Sequence, residues 1–248
     1  MMKLLFKKGL IKKNASLIVG LPGVAFVGRI TVKYIVDKLG AKKIGRLISD
    51  KLPAQVMITK KGKLKPMQLS FYHLRLKDRD LIFLIGDIQP PTNEGQYEIA
   101  NAIIKLCKKV GINEIITIGG YATGNLERNE HVLGASNNIE HINSFSKLGV
   151  IYGEAKGSIL GLAGLLPALA GKIKGTCIMG ETHGSFIDPM AAKRVLEILS
   201  KYFKFEIDYS EIDKAARKIK QITEKIEKEI KEQREHMEEG KKKPSYIQ

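Results

Sequence analysis

Three titratable side chains stand directly after apolar runs. Asp87 follows Leu81-Ile82-Phe83-Leu84-Ile85-Gly86, and Glu181 and His183 follow Cys177-Ile178-Met179-Gly180. If those runs are strands of an open α/β sheet, their carboxyl ends border a ligand crevice. Asp87, Glu181 and His183 could then converge on a bound molecule. Acidic residues after strands serve equally as turn formers and helix caps, and no nucleophile–base spacing accompanies these three. The turn-and-cap reading is therefore preferred to catalysis. A second candidate is Gly20-Leu21-Pro22-Gly23-Val24-Ala25-Phe26-Val27-Gly28, placed where a phosphate loop would open a helix. It matches neither GxGxxG nor GxxxxGK[ST], and Pro22 lacks the N–H that a phosphate cradle uses. A tight turn with close helix–sheet packing is the better reading. His131 and His141 fall in a polar stretch and read as surface-loop residues. Cys107 and Cys177 sit far apart in apolar contexts and read as buried, reduced thiols. No Cys/His cluster has zinc spacing, and no metal or cofactor is expected.

The elements that would position these residues follow from hydrophobic periodicity. Strands are expected at 16–20, 44–48, 54–59, 80–86, 114–118, from 150, and at 175–179. Helices are expected at about 24–39, 93–110 and 189–203, the last capped by Asp188 and started by Pro189. Residues 66–74 alternate Met67, Leu69 and Phe71 with Gln68, Ser70 and Tyr72, which predicts an antiparallel edge hairpin with one wet face. Residues 125–146 read as a polar stretch without elements. The segment Gly157–Gly171 is apolar on all sides, and its Gly161 and Gly164 must admit a close neighbour, either the sheet or another subunit. The prediction is a single three-layer α/β domain (residues 1–208) with a mostly parallel central sheet, of phosphorylase or hydrolase type.

No apolar run reaches the ~18 residues of a membrane span, and the expectation is a soluble cytoplasmic protein. Of the net charge of +16, +14 falls within residues 1–65. Without a helix-turn-helix, zinc or RNA-recognition signature, that lobe reads as a face for an acidic protein surface rather than for nucleic acid.

After Tyr209 the chain changes character. Residues 209–239 carry Ile212, Ala215, Ile219, Ile222, Ile226, Ile230 and Met237 at helical spacing among Lys, Glu and Arg. This predicts an amphipathic rod of roughly 40 Å, whose Ile219, Ile222, Ile226 and Ile230 form a seam between subunits. Residues 240–248 read as a flexible basic leash ending in Pro244-Ser245-Tyr246-Ile247-Gln248.

Taken together, Gly20-Leu21-Pro22-Gly23…Val27-Gly28, Gly119-Gly120-Tyr121, the 157–166 segment and Asp188-Pro189-Met190-Ala191-Ala192 resemble the proteasome assembly chaperone family, particularly its archaeal homologues. The resemblance spans about residues 15–205. It implies a fold like purine nucleoside phosphorylase without the activity. It also implies an ATP-independent homo-oligomer, a tetramer or pentamer, that docks on 20S proteasome α subunits through its C-terminal tail. In that family the tail ends in hydrophobic–Tyr–any residue. Here Tyr246 is third from the end, so the docking residues implied are Tyr246, Ile247 and Gln248, with Ile247 in the place of the usual Tyr. The alternative is a nucleoside- or phosphate-binding protein or enzyme using the crevice near Gly20, Asp87, Gly120 and Glu181.

Overall fold

The computed structural model describes residues 1–12, 14–124 and 130–222. The first half runs β1 (Met2–Phe6), β2 (Ala15–Gly20), α1 (Val27–Lys38), β3 (Lys42–Ser49), β4 (Val56–Ile58), β5 (Leu64–Pro66), β6 (Leu69–Arg75) and β7 (Asp80–Gly86). The second half runs α2 (Asn93–Val110), β8 (Ile112–Ala122), β9 (Val132–Ser136), α3 (Ile139–Ser146), β10 (Val150–Tyr152), α4 (Leu162–Leu169), β11 (Lys174–Thr182) and α5 (Pro189–Phe203). A further helix, α6, is described over residues 210–222.

Nine strands form one sheet in the order β1-β3-β6-β7-β2-β8-β11-β9-β10. Alternation along the central strands sends successive side chains to opposite faces. Leu17, Val19, Ile82, Leu84 and Ile115 pack under α2 and α4. Ile18, Leu81, Phe83, Ile116 and Ile178 pack under α1, α3 and α5. The middle of each central strand is thus largely apolar because both its faces are covered. The result is three layers with two cores.

The sheet is mixed, which corrects the expectation of a mostly parallel one. β7, β2, β8 and β11 are parallel neighbours, and β9 pairs β10 in parallel. The pairs β1–β3, β3–β6, β6–β7 and β9–β11 are antiparallel. The reason lies in the connections. Only residues 76–79 join β6 to β7, too few for the crossover that parallel strands require.

Several local expectations change with it. The predicted edge hairpin is a separate two-stranded ribbon, β4–β5. β6 lies inside the main sheet, and Leu69, Ser70 and Phe71 are all buried rather than alternately wet. The edge is instead β1, where Met2, Leu4 and Phe6 turn toward the core. The polar stretch contains β9 and α3, the latter started by Asn138, whose side chain accepts from His141 N at 3.0 Å. Three predicted elements hold to the residue: β7, α2 and α5. Thr92 Oγ1 accepts from Gly95 N at 3.1 Å and Gly111 closes α2 at φ 78°. Asp188 caps α5 by accepting from Ala191 N at 2.9 Å.

Candidate functional site

Strand β2 ends at Gly20, and the chain turns back through a short 3-10 turn, Val24–Phe26, into α1. A side chain at Gly28 would overlap the carbonyl oxygen of Ile118, so glycine is what lets α1 lie directly on the backbone of β8. Ala25 and Phe26 both adopt left-handed φ, 48° and 56°, a conformation costly for residues with a Cβ. The turn is held by Asp188 N donating to Ala25 O at 3.0 Å. Phe26 N is spent on Gly23 O at 3.0 Å, and α1 has no side-chain cap. The Gly20–Gly28 segment is therefore a packing turn, as its sequence suggests.

Gln89, from the loop after β7, spans two elements. Its Nε2 donates to Pro22 O at 2.6 Å, and its Oε1 accepts from Leu162 N, the first residue of α4, at 3.2 Å. Beneath it, Thr117 Oγ1 donates to Ala163 O at 2.5 Å. At the other end of the loop before α4, Lys156 N donates to the Tyr121 hydroxyl at 3.4 Å. These contacts hold the loop 153–161 over the carboxyl end of β8 and the face of β9. Between loop and sheet lies a cleft of about 860 Å³, walled by residues that include Val24, Gln96, Gly119, Tyr121, Tyr152 and Leu160. Among the described residues, its wall carries no Asp, Glu, His or Cys and one basic side chain, Lys156.

The opposite end of the sheet is built from charge. Glu114, buried near the start of β8, accepts from Ser16 Oγ, from Arg79 Nη1 at 3.0 Å and from the Tyr202 hydroxyl at 2.9 Å. His141 Nε2 lies 3.1 Å from the same carboxylate, and its Nδ1 lies 2.8 Å from Thr176 Oγ1. Burial alone would raise the Glu114 pKa. The hydrogen bonds from His141, Ser16 and Tyr202 outweigh it and hold the carboxyl below its ordinary value. Tyr202 stacks on Phe145 at 4.2 Å, and its own hydroxyl is pushed well above the usual range by burial and by the Glu114 charge. Asp80, at the start of β7, accepts from Lys12 N at 2.7 Å and Arg75 Nε at 2.9 Å, with His73 Nε2 at 2.8 Å. Against the opposing effect of burial, Arg75, the Lys12 amide and His73 lower its pKa to about 2. Every one of these groups is satisfied by the fold. They stitch strands together.

A third feature is the root of α6. The Tyr34 hydroxyl donates to Asp208 O at 2.7 Å, Lys38 pairs with Glu211 at 2.7 Å, and Lys193 pairs with Asp213 at 2.7 Å. Ile212 and Ala216 are 2% and 5% exposed against the α1/α5 face, whereas Ile222 is 46% exposed. The apolar stripe of α6 leaves the body within three turns.

Comparison with known proteins places this architecture. A model of the PAC2 family matches residues 17–227. The chain belongs to the PAC2 family. It is 35% identical over 218 residues to an uncharacterized protein of Methanocaldococcus jannaschii, covering 87% of this chain and 84% of the relative. Among solved structures it is similar to PbaB of Pyrococcus furiosus, an archaeal proteasome activator, with a TM-score of 0.84 and 30% identity, covering 91% of this chain and 98% of PbaB. It is also similar to Pyrococcus furiosus PbaA, an archaeal homolog of proteasome-assembly chaperone, with a TM-score of 0.77 and 29% identity, covering 96% of this chain and 97% of PbaA.

Within this PAC2 chain the predicted crevice residues do not assemble. Of Gly20, Asp87, Gly120 and Glu181, only Gly120 lines the cleft, and neither Asp87 nor His183 does. Asp87 pairs with Lys65 at 2.8 Å and accepts from Gln68 N at 3.3 Å, closing the β5–β6 connection. Glu181 accepts from His131 N at 2.9 Å. His183 stacks on Phe186 at 6.0 Å. The expected surface role of His141 is corrected by its burial in the Glu114 cluster. Cys107 and Cys177 are buried and free, their thiols pushed by burial to about 12 and about 11. In α6, Ala216 rather than Ala215 takes the packed position after Ile212. Ile219 is half-buried and Ile222 exposed. Ile226, Ile230, Tyr246, Ile247 and Gln248 lie outside the described residues. Gly161 and Gly164, expected to admit a close neighbour, do so within the chain. A Cβ at Gly161 would meet Gln89 Oε1 at 2.7 Å, and one at Gly164 would meet Ile159 O at 2.6 Å. The Glu114 cluster escaped the sequence reading. Its signal is a carboxylate inside an apolar strand run, which must be paired if the run is buried.

Proposed function

We propose that this chain is a non-enzymatic, ATP-independent adaptor of the cytoplasm that docks on the α ring of the 20S proteasome, acting in assembly or activation. The observation that carries this reading is the likeness to PbaB, which extends over nearly the whole of both chains at 30% identity. The likeness to PbaA supports the same class of partner. The docking residues are Tyr246, Ile247 and Gln248 at the tail. Oligomerisation, to a tetramer or pentamer, uses Ile219, Ile222, Ile226 and Ile230. The exposure of Ile222 on a helix whose Ile212 and Ala216 are buried supports such a seam, because an apolar stripe that outruns its own domain needs another surface to cover it. Linked copies would present several tails at once and gain avidity without new contacts. Among the described residues no helix is long and apolar enough to cross a membrane.

The test is a pull-down of purified α rings by the full chain and by a variant lacking residues 246–248. Binding should be lost while the oligomer keeps its size. Undiminished binding by the truncated variant overturns the tail mechanism.

A further inference from the structure

The cleft under the loop 153–161 is not used by any contact described so far, and its volume falls within the ~300–1,000 Å³ of small-molecule sites. Three features define what would fit it. The first is charge. With no acidic side chain on its described wall and Lys156 as its one cation, the cleft offers little to a strongly charged ligand. The second is unspent hydrogen-bonding capacity. Gln96 donates its Nε2 to Pro90 O at 2.6 Å, which orients the amide, yet its Oε1 is buried and has no partner. The Tyr152 hydroxyl is likewise buried and unpartnered. Buried polar atoms left without partners are uncommon in folded proteins and call for an explanation. Here both belong to residues that line one cavity. The third is surface. Tyr121 and Tyr152 contribute aromatic area, and Gly119 leaves the backbone of β8 bare, since a Cβ there would meet nothing nearer than Met179 Cγ at 3.6 Å.

We propose that this cleft binds an uncharged heteroaromatic molecule of nucleobase or nucleoside size. Its ring lies on the bare β8 backbone and the tyrosine surfaces, a donor group meets Gln96 Oε1, and an acceptor or donor group meets the Tyr152 hydroxyl. Tyr152 is a positioning element as well as a contact. It is seated by Gly134, where a Cβ would fall 2.6 Å from the Tyr152 ring.

The test uses the full chain in thermal-shift and calorimetric titrations with adenosine and adenine. AMP, inorganic phosphate and octanediol serve as the charged and the non-aromatic arms. Adenosine or adenine should give a saturable rise in melting temperature. Gly119→Leu, whose Cβ has room and whose side chain covers the bare β8 backbone, should abolish it. Gln96→Leu and Tyr152→Phe should each weaken binding roughly 3- to 10-fold, the worth of one hydrogen bond. These two variants keep the test decisive even if Gly119→Leu fails to fold. No saturable effect from either heterocycle overturns the proposal, as does one that survives in Gly119→Leu or is untouched by both polar variants. Stronger binding of AMP or phosphate overturns the uncharged class. Equal binding of octanediol overturns the heteroaromatic one.

Discussion

The two ends of the central sheet are built on opposite principles. At the amino ends of the parallel strands, Glu114, Asp80, Ser16 and Thr176 are buried and joined to Arg79, His141, Tyr202, His73 and Arg75. At the carboxyl ends β2 and β7 finish in glycine, and Gly119 and Gly120 of β8 border an open cleft without a carboxylate on its described wall. Asp87 and Glu181 beside it are held by Lys65 and the His131 amide. In many open α/β sheets ionisable groups gather at the carboxyl ends, where ligands bind. Here the interlinked buried cluster lies at the other end, where it holds the strands in register. Titratable residues in this chain mark structure, while glycines and neutral polar groups mark the usable surface.

The sharpest way to break this comparison is to empty the charged end. Glu114→Ala strips Arg79 and His141 of their shared carboxylate in a buried site. It is expected to cost about 3–5 kcal/mol in denaturant unfolding. A cost under about 1 kcal/mol would show that the cluster is not structural. Acid tests the same end more gently. The Asp80 carboxyl has a folded pKa of about 2, below its ordinary value of 3.8. Its stabilisation is therefore complete above pH ~4 and lost as pH falls from there toward about 2. Asp80→Asn should lower stability by roughly 1.5–3 kcal/mol at neutral pH and flatten the acid limb of the stability profile. An unchanged acid limb would assign that limb to other carboxylates. The smallest effect belongs to the open end. The Cβ of Gly119→Leu meets nothing nearer than Met179 Cγ at 3.6 Å and its remaining carbons enter an open cleft, so its stability should lie within about 0.5 kcal/mol of the parent by the same unfolding assay. A large loss there would mean that the cleft end is as tightly specified as the charged end.

How much of this was legible in the sequence depended on whether the governing interactions were local. β7, α2 and α5 were readable to the residue because Thr92, Gly111, Asp188 and Pro189 act within one turn of the elements they bound. The Gly20–Gly28 turn was readable because its strand, turn and helix are contiguous. The antiparallel half of the sheet was not: β1 pairs β3 and β9 pairs β11 across long stretches of chain, and the short 76–79 link makes β6–β7 a hairpin between two runs that each look like a separate strand. A polar run such as 125–146 hides β9 and α3 because each is short: β9 buries only Val132, Leu133 and Gly134, and α3 only His141 and Phe145. The crevice residues Asp87, Glu181 and His183 were correctly set near strand ends, but local spacing carries no information about which way each side chain is claimed. Lys65 claims Asp87, and the backbone of His131 claims Glu181. Family membership was legible from the order of several modest glycine motifs, whose packing roles at Gly28 and Gly161 are evident in the fold.

The clamp at the root of α6 has one further consequence. Tyr34 and Lys38 from α1 and Lys193 from α5 grip residues 208–213, and Ile212 is sunk between the same helices. The heading on which the chain leaves the body is therefore set by two helices that lie up to about 170 residues earlier in the sequence. A substitution at Tyr34 or Lys193 would turn α6 over residues 210–222 without altering a single residue of it, much as a hinge plate fixes the swing of a door it does not touch.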